Sequence, residues 1–281
     1  MTCARRLGLT VLLVTPACNS PATRSPAPPR PQAAAPAGSA AIAHDARCFG
    51  TAPAATNAAW EQQVIELVNR ERKANGLPPL KHVTSLTEAA RWYANDMVDD
   101  DYFGPDHDTY DRAEGSLVKV CAWRARIRAF YAGANALGEN LGEGYTSPQA
   151  AVAGWMGSSA HRANILNGDY RETGVGYRAV GSHGHCWVQD FGRRETVYPV
   201  VINGETASTD SRIVSLDVYG RWSEVRLRND SEAFGPWRPF AHTLEWTLAD
   251  VDGLRTVDVE MRGGSTTATA RDTISLHLSR R

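Results

Sequence analysis

Several things are missing from this chain, and each absence removes a class of function. There is no excess of charge: 30 basic residues stand against 31 acidic ones, for a net of −1. With no basic run interleaved with aromatics, the sequence has no electrostatic footprint for nucleic acid. The apolar run at the N-terminus, Leu7 to Val14, is far shorter than the ~20 residues a spanning helix requires. Five cysteines occur, none of them in a Cys-x-x-Cys pair, which excludes a zinc knuckle of that kind. No His-Glu-x-x-His and no Gly-x-Ser-x-Gly is present, so zincin proteolysis and a serine nucleophile elbow have no support. The acid run Asp99-Asp100-Asp101 lacks the spaced ligands of an EF-hand loop and reads as a solvated helix end.

What is present describes an exported globular protein. At 281 residues, 42% hydrophobic and 22% charged, the chain can fold unaided as one large or two ordinary domains. Arg5-Arg6 followed by the short apolar stretch reads as an export signal over residues 1–18. Ala17-Cys18-Asn19-Ser20 resembles a bacterial lipoprotein processing site, with Cys18 lipidated and serving as a membrane tether. Ordinary signal cleavage and secretion is the alternative, and both stay open. Residues 19–56 are rich in Pro, Ala and Ser, including Pro26-Ala27-Pro28-Pro29-Arg30-Pro31, and are expected to form an extended linker. Beyond Cys3 and Cys18, the cysteines Cys48, Cys121 and Cys186 would mature in an oxidising compartment. One bridge and one free thiol follow. Cys121 with Cys186 is the expected pair, because both lie inside the folded domain.

The folded part is expected in two portions, 57–194 and 195–281. Trp60, Val64, Leu67 and Val68 recur at helical spacing, and Gly76 with Pro78-Pro79 ends the run. Ser85 and Glu88 form a capping box for a second helix carrying Leu86, Ala89, Ala90, Tyr93, Ala94 and Met97 on one face. Residues Trp123 to Ala132 are read as helical. Ser147-Pro148 starts another helix, whose buried face is Ala151, Val152, Trp155 and Met156. Gly174 to Ala179 and Cys186 to Phe191 are expected to pair as a hairpin. Beyond Arg194 the pattern changes to period two, with short runs such as Ile213 to Val218 and Val257 to Met261 parted by Asn203-Gly204, Asp252-Gly253 and Gly263-Gly264. That is the pattern of a β-sandwich. Trp222, Trp237 and Trp246 are read as sheet-packing residues rather than a carbohydrate platform.

The span from Trp60 to about Gly192 resembles the CAP superfamily (cysteine-rich secretory proteins, antigen 5 and plant pathogenesis-related class 1 proteins) in its bacterial SCP-domain form. The likeness rests on Val68-Asn69-Arg70-Glu71-Arg72, Leu77-Pro78-Pro79-Leu80, Gly138-Glu139-Asn140-Leu141, Ala151 to Trp155 and Ser159 to Leu166. It continues through Gly174-Val175-Gly176-Tyr177 and Trp187-Val188-Gln189-Asp190-Phe191-Gly192, in order along the chain. The tail from Tyr198 is similar, by strand pattern, to Ig-like modules. The resemblance implies an α+β fold: a CAP-type α-β-α sandwich followed by an all-β Ig-like sandwich. It also implies a cleft lined by two histidines and two glutamates. Carried onto this sequence, these are His107, His161, Glu139 and Glu114.

Before any resemblance, His107, Glu139 and His161 already read as polar groups on irregular segments beside helices. Neutral imidazoles suit zinc, so His107 and His161 can hold a divalent metal, with Glu139 and Glu114 as ligands or supporting partners. Two functions follow. One is an exported module, displayed at the cell envelope or secreted, whose cleft takes a metal or a small apolar, lipid or peptidic ligand. The other is a metal-assisted hydrolase with Glu139 as general base to a bound water. The missing nucleophile and balanced charge favour binding over catalysis. A surface adhesion module with a purely structural His/Glu core is a third reading.

Overall fold

The computed structural model describes residues 48–104, 106–179 and 184–278. The export signal, the Cys18 tether, linker residues 19–47 and the turn residues 181–183 lie outside them. The described residues belong to one compact unit. Among them, no helix is long and apolar enough to cross a membrane.

The helical portion is built on a four-stranded sheet. Its chain order is α1 (Ala58–Ala74), β1 (Lys81–His82), α2 (Thr84–Asp99), the hairpin β2 (Thr109–Ala113) and β3 (Ser116–Cys121), and α3 (Trp123–Phe130). Then come β4 (Ala134–Glu143), α4 (Pro148–Gly157), α5 (Ser159–Ile165), β5 (Glu172–Arg178) and β6 (Cys186–Arg194). Strand order in the sheet is β1-β5-β6-β4, which leaves β4 at an edge.

Helices cover both faces, giving three layers. On one face Val64, Ile65 and Val68 of α1 and Ala151, Val152 and Trp155 of α4 pack against Val175, Tyr177, Trp187 and Phe191. On the other, Ala90, Tyr93, Ala94 and Met97 of α2 meet Leu141, Cys186 and Val188. The alternation along β6, with 187 and 191 on one side and 186 and 188 on the other, is the period-two rule of a strand buried on both faces. Gly174 and Gly176 are placed by close approach. A Cβ on Gly174 would lie 2.1 Å from the Thr87 nitrogen, and one on Gly176 2.3 Å from the Ala90 carbonyl carbon. The Gly-Val-Gly-Tyr motif therefore has one bare face on which α2 lies directly.

Local chemistry sets the helix ends. Asn57 Oδ1 accepts from the Trp60 amide at 3.1 Å, and Ser147 Oγ from that of Ala150 at 3.1 Å. The capping box expected at Ser85 and Glu88 is not used, because α2 begins two residues earlier than that cap implies, at Thr84, after an extended Val83 with no side-chain cap. Two residues of the Val68 to Arg72 motif act as pins. Asn69 both donates to and accepts from Leu80, at 2.9 and 2.7 Å. Arg72, fully buried, donates to the Pro78, Ile165 and Asn167 carbonyls at 2.9, 2.7 and 2.9 Å.

The disulfide differs from the sequence expectation. Cys48 is bonded to Cys121, with Cα atoms 5.5 Å apart, and Cys186 is free and buried. Cys186 belongs to a strand buried on both faces, where it packs in the α2-side core, whereas Cys121 ends β3. The bridge also ties Cys48, inside the stretch expected as linker, to the folded portion.

The remaining strands are β7 (Val200–Ile202), β8 (Ser208–Thr209), β9 (Ile213–Val218), β10 (Glu224–Asn229), β11 (Arg238–Pro239), β12 (Thr243–Thr247), β13 (Gly253–Gly263) and β14 (Thr266–Leu276). A 3-10 turn at Asn203–Glu205 follows β7. A five-stranded sheet, β11-β10-β13-β14-β8, and a three-stranded one, β12-β9-β7, share a core. Val214, Leu216, Val225, Leu227, Val257, Val259 and Met261 contribute to it at period two. Trp222 and Trp246 pack against this core, and Trp237 lies under Arg226 and Arg262. The β8–β14 pairing is parallel, so the region is mixed. The fold class is α+β.

The two portions are joined by polar contacts. Tyr219 Oη donates to the Pro79 carbonyl at 3.0 Å, and Asn69 Nδ2 to that of Gly204 at 3.1 Å. Lys81 Nζ binds Glu205 at 2.8 Å and also Asp272.

Candidate functional site

The site grows from the edge strand β4 and the loop before β2. Glu139 pairs in register with Asp190 of β6, and Leu141 with Val188, so Glu139 faces the α2 side of the sheet. Asn140 faces the other way, toward α5. Its Nδ2 donates to the His161 carbonyl at 3.2 Å, while Asn164 Nδ2 donates to Asn140 Oδ1 and to the Glu139 carbonyl, both at 3.0 Å. Helix α5 is thereby hung on β4, with His161 on it.

Glu139 has no free oxygen. One accepts from the Arg126 guanidinium; the other lies 2.9 Å from His107 Nδ1. Arg126 is fully buried. It stacks 3.3 Å above the Tyr93 ring and donates to the His107 carbonyl at 3.0 Å and to Thr109 Oγ1 at 3.2 Å. His107 sits at φ 70°, in the left-handed region, held by Arg126 at its carbonyl and by Glu139 at its ring. Its side chain remains 34% exposed, against 1% for Glu139. With Nδ1 committed to a carboxylate, Nε2 is the ring atom left to meet a ligand.

The electrostatics follow from burial. Burial alone would raise the Glu139 carboxyl, but Arg126 and then His107 overcome it and hold Glu139 below the ordinary carboxylate range. Asp190 goes the other way: burial, then the Glu139 charge, push it well above its ordinary value. The pair therefore carries one negative charge opposite Arg126. Burial, and then the charge of His107, lower the His161 imidazole, which keeps it neutral and able to donate a lone pair.

Of the four residues expected in the cleft, His107 and Glu139 are joined directly, and His161 lies on α5, tied to β4 through its carbonyl. Glu114 does not. It occupies the exposed tip of the β2–β3 hairpin at φ 49°, followed by Gly115 at φ 82°. Two successive left-handed residues make a two-residue hairpin turn, and that turn chemistry is what Glu114-Gly115 encodes. Asp190 and Arg126 are the residues sequence reasoning missed. An acidic residue inside the apolar run Trp187 to Phe191 was a signal for the first. For the second, Arg126 lies one residue from Ile127 on the same face of α3 as Trp123 and Phe130. The secondary structure also differs: Glu139 is in a strand and His161 in a helix, not on irregular segments.

Among the described residues, no three His, Cys, Asp or Glu side chains converge as a metal shell. Each Glu139 oxygen already has a partner, His107 for one and the abutting Arg126 guanidinium for the other.

Residues 65–191 match the sequence model of the cysteine-rich secretory protein family, CAP. Over that span the chain is similar to CAP/SCP-domain proteins. It is related to the uncharacterized protein YkwD of Bacillus subtilis (strain 168), with 36% identity over 141 residues, 50% of this chain and 49% of that protein. The uncharacterized membrane protein YlbC of the same organism is 33% identical over 116 residues, 41% of this chain and 31% of that one. This chain thus spans half the length or less of these relatives. Among solved structures, an extracellular SCP-domain protein from Bacillus anthracis (strain Ames) has 28% identity and a TM-score of 0.40, covering 48% of this chain and 40% of that one.

Proposed function

We propose that this is an exported binding module whose CAP portion presents His107 and His161 to a small apolar or peptidic ligand, with a divalent cation, zinc by its donor chemistry, held between the two imidazoles. One observation carries the reading. Glu139 spends both oxygens on Arg126 and His107, which fixes the ring and leaves His107 Nε2 as the open atom of a half-exposed side chain. Carboxylate-oriented histidine is the usual support for a metal-binding imidazole. Two imidazoles fill half of a tetrahedral shell and leave the rest to water or ligand, and a bound zinc would polarise an oxygen placed there.

Export is supported by the Arg5-Arg6 and Leu7 to Val14 signal and by the match of residues 65–191 to a secretory family. Lipidation at Cys18 would hold the protein at the envelope; cleavage without it would release the protein. The C-terminal portion is read as an Ig-like module, because its two sheets share one apolar core. Titration calorimetry with a short-chain fatty acid and a tetrapeptide, on zinc-treated protein, tests the cleft. Saturable binding of either, lost more than about tenfold in His161→Ala, is expected from removal of a polar contact. No saturation by either probe, or equal affinity in His161→Ala, would contradict the reading.

A further inference from the structure

A cavity of about 1050 Å³ lies between the helical and β-rich portions, and neither His107 nor Glu139 lines it. It is open to solvent and of a size that takes a multi-ring ligand, at the kind of place between two packed portions where ligand sites concentrate. Its lining is charged in a lopsided way. Arg70, Lys73, Arg171 and Arg221 border it, against the carboxylates Glu66 and Asp217.

The two acids are already engaged. Glu66 accepts from the Ala207 amide at 3.1 Å and from Gln62 Nε2 at 3.3 Å, and Asp217 from Thr243 Oγ1 at 3.2 Å. Arg171 donates to the Val197 carbonyl at 2.7 Å. The other three cations are exposed; Lys73 feels the charge of Asp217, and none of the three has a carboxylate within ion-pairing distance among the described residues. With four cations against two carboxylates, the excess of like charge focuses positive potential into the concavity. The rest of the wall is mixed. Leu77, Pro79 and Tyr219 offer apolar faces, and Thr206 and Ser215 offer hydroxyls.

We propose that this cavity binds an anionic saccharide of a few rings, its carboxylate or phosphate groups on Arg70, Lys73 and Arg221 and its ring faces on the Leu77–Pro79 and Tyr219 wall. An inorganic anion would leave most of the volume and the apolar wall unused. A hydrocarbon ligand would leave three cations without partners. Only a ligand with negative groups, hydroxyls and flat apolar faces uses all three kinds of lining.

The test is titration calorimetry of the full chain with tetragalacturonate, with phosphorylated maltotetraose and with unmodified maltotetraose. One saturating site for an anionic tetrasaccharide, and none for maltotetraose, is the expected result; which of the two anionic probes binds tells carboxylate from phosphate recognition. The triple variant R70Q/K73Q/R221Q should lose more than about tenfold in affinity, the scale of charge-assisted contacts. Arg128→Gln on exposed α3 should match wild type. The single variant Arg221→Gln provides the same reading if the triple variant melts lower. Failure of both anionic probes to saturate, or wild-type affinity in Arg221→Gln and the triple variant, would overturn the proposal.

Discussion

Glu139 and Asp190 are directly paired across β4 and β6, two carboxylates in one buried space with a single guanidinium, Arg126, to balance them. One of the two has to keep its proton, and it is Asp190. The sign of the consequence is fixed. A carboxyl raised in the folded state keeps a proton that the unfolded chain releases above about pH 4, so its burial costs stability as pH rises. Asp190→Asn removes that titration. Its melting temperature should gain on wild type steadily between about pH 4 and neutrality. Thermal unfolding across that range checks it; parallel curves would show that Asp190 ionises in the fold.

The contact between Gly176 and Ala90 makes the sheet–α2 layer intolerant of a single methyl group. Gly176→Ala should cost about 1–3 kcal/mol through overpacking against backbone that has no room to move. Urea denaturation reads the loss directly. Gly157→Ala, where a Cβ meets nothing within 4 Å, is the companion expected to lose little.

The bridge between Cys48 and Cys121 closes a separation of 73 residues. Removing it by Cys48→Ser should lower stability by about 2–4 kcal/mol. Peptide mapping without reduction should recover the Cys48–Cys121 pair. Cys186, 1% exposed and with its thiol pushed by burial up to about 12, should resist alkylation until the chain unfolds. Rapid native labelling of Cys186 would contradict this placement.

Between the two portions, burial and then the Asp272 charge push Glu205 up to about 8, against the pull of Lys81. The unfolded chain ionises this group near pH 4.3, so between there and about pH 8 its deprotonation favours unfolding. Glu205→Gln should therefore be the more stable form at pH 8, with the gap closing toward pH 4. Differential scanning calorimetry at three pH values resolves it.

Much of this was legible because it depends on period and punctuation. The stripes of α1, α2 and α4 and the alternation of β9, β10 and β13 show one apolar face each, and their elements fall where those patterns put them. What the pattern hid depends on space. The Ser85–Glu88 signature is local, and α2 begins two residues earlier than that cap implies. Glu114 has the right chemistry for a cleft, yet the turn formed with Gly115 carries it to a hairpin tip. Nothing in the spacing of three cysteines says that Cys186 is enclosed between two layers while Cys48 folds back on Cys121. Arg126 was hidden for the same reason: a guanidinium on an apolar helix face has meaning only once the carboxylate opposite it is known.

The most direct measurement is the zinc content of the purified chain after equilibration with zinc and buffer exchange, for wild type, His107→Ala and His161→Ala. The account predicts zinc retained by wild type and lost in both variants, each still folded by circular dichroism. Wild type that retains no zinc, or variants that retain as much as wild type, would contradict it and leave His107, Glu139 and Arg126 as a purely structural core.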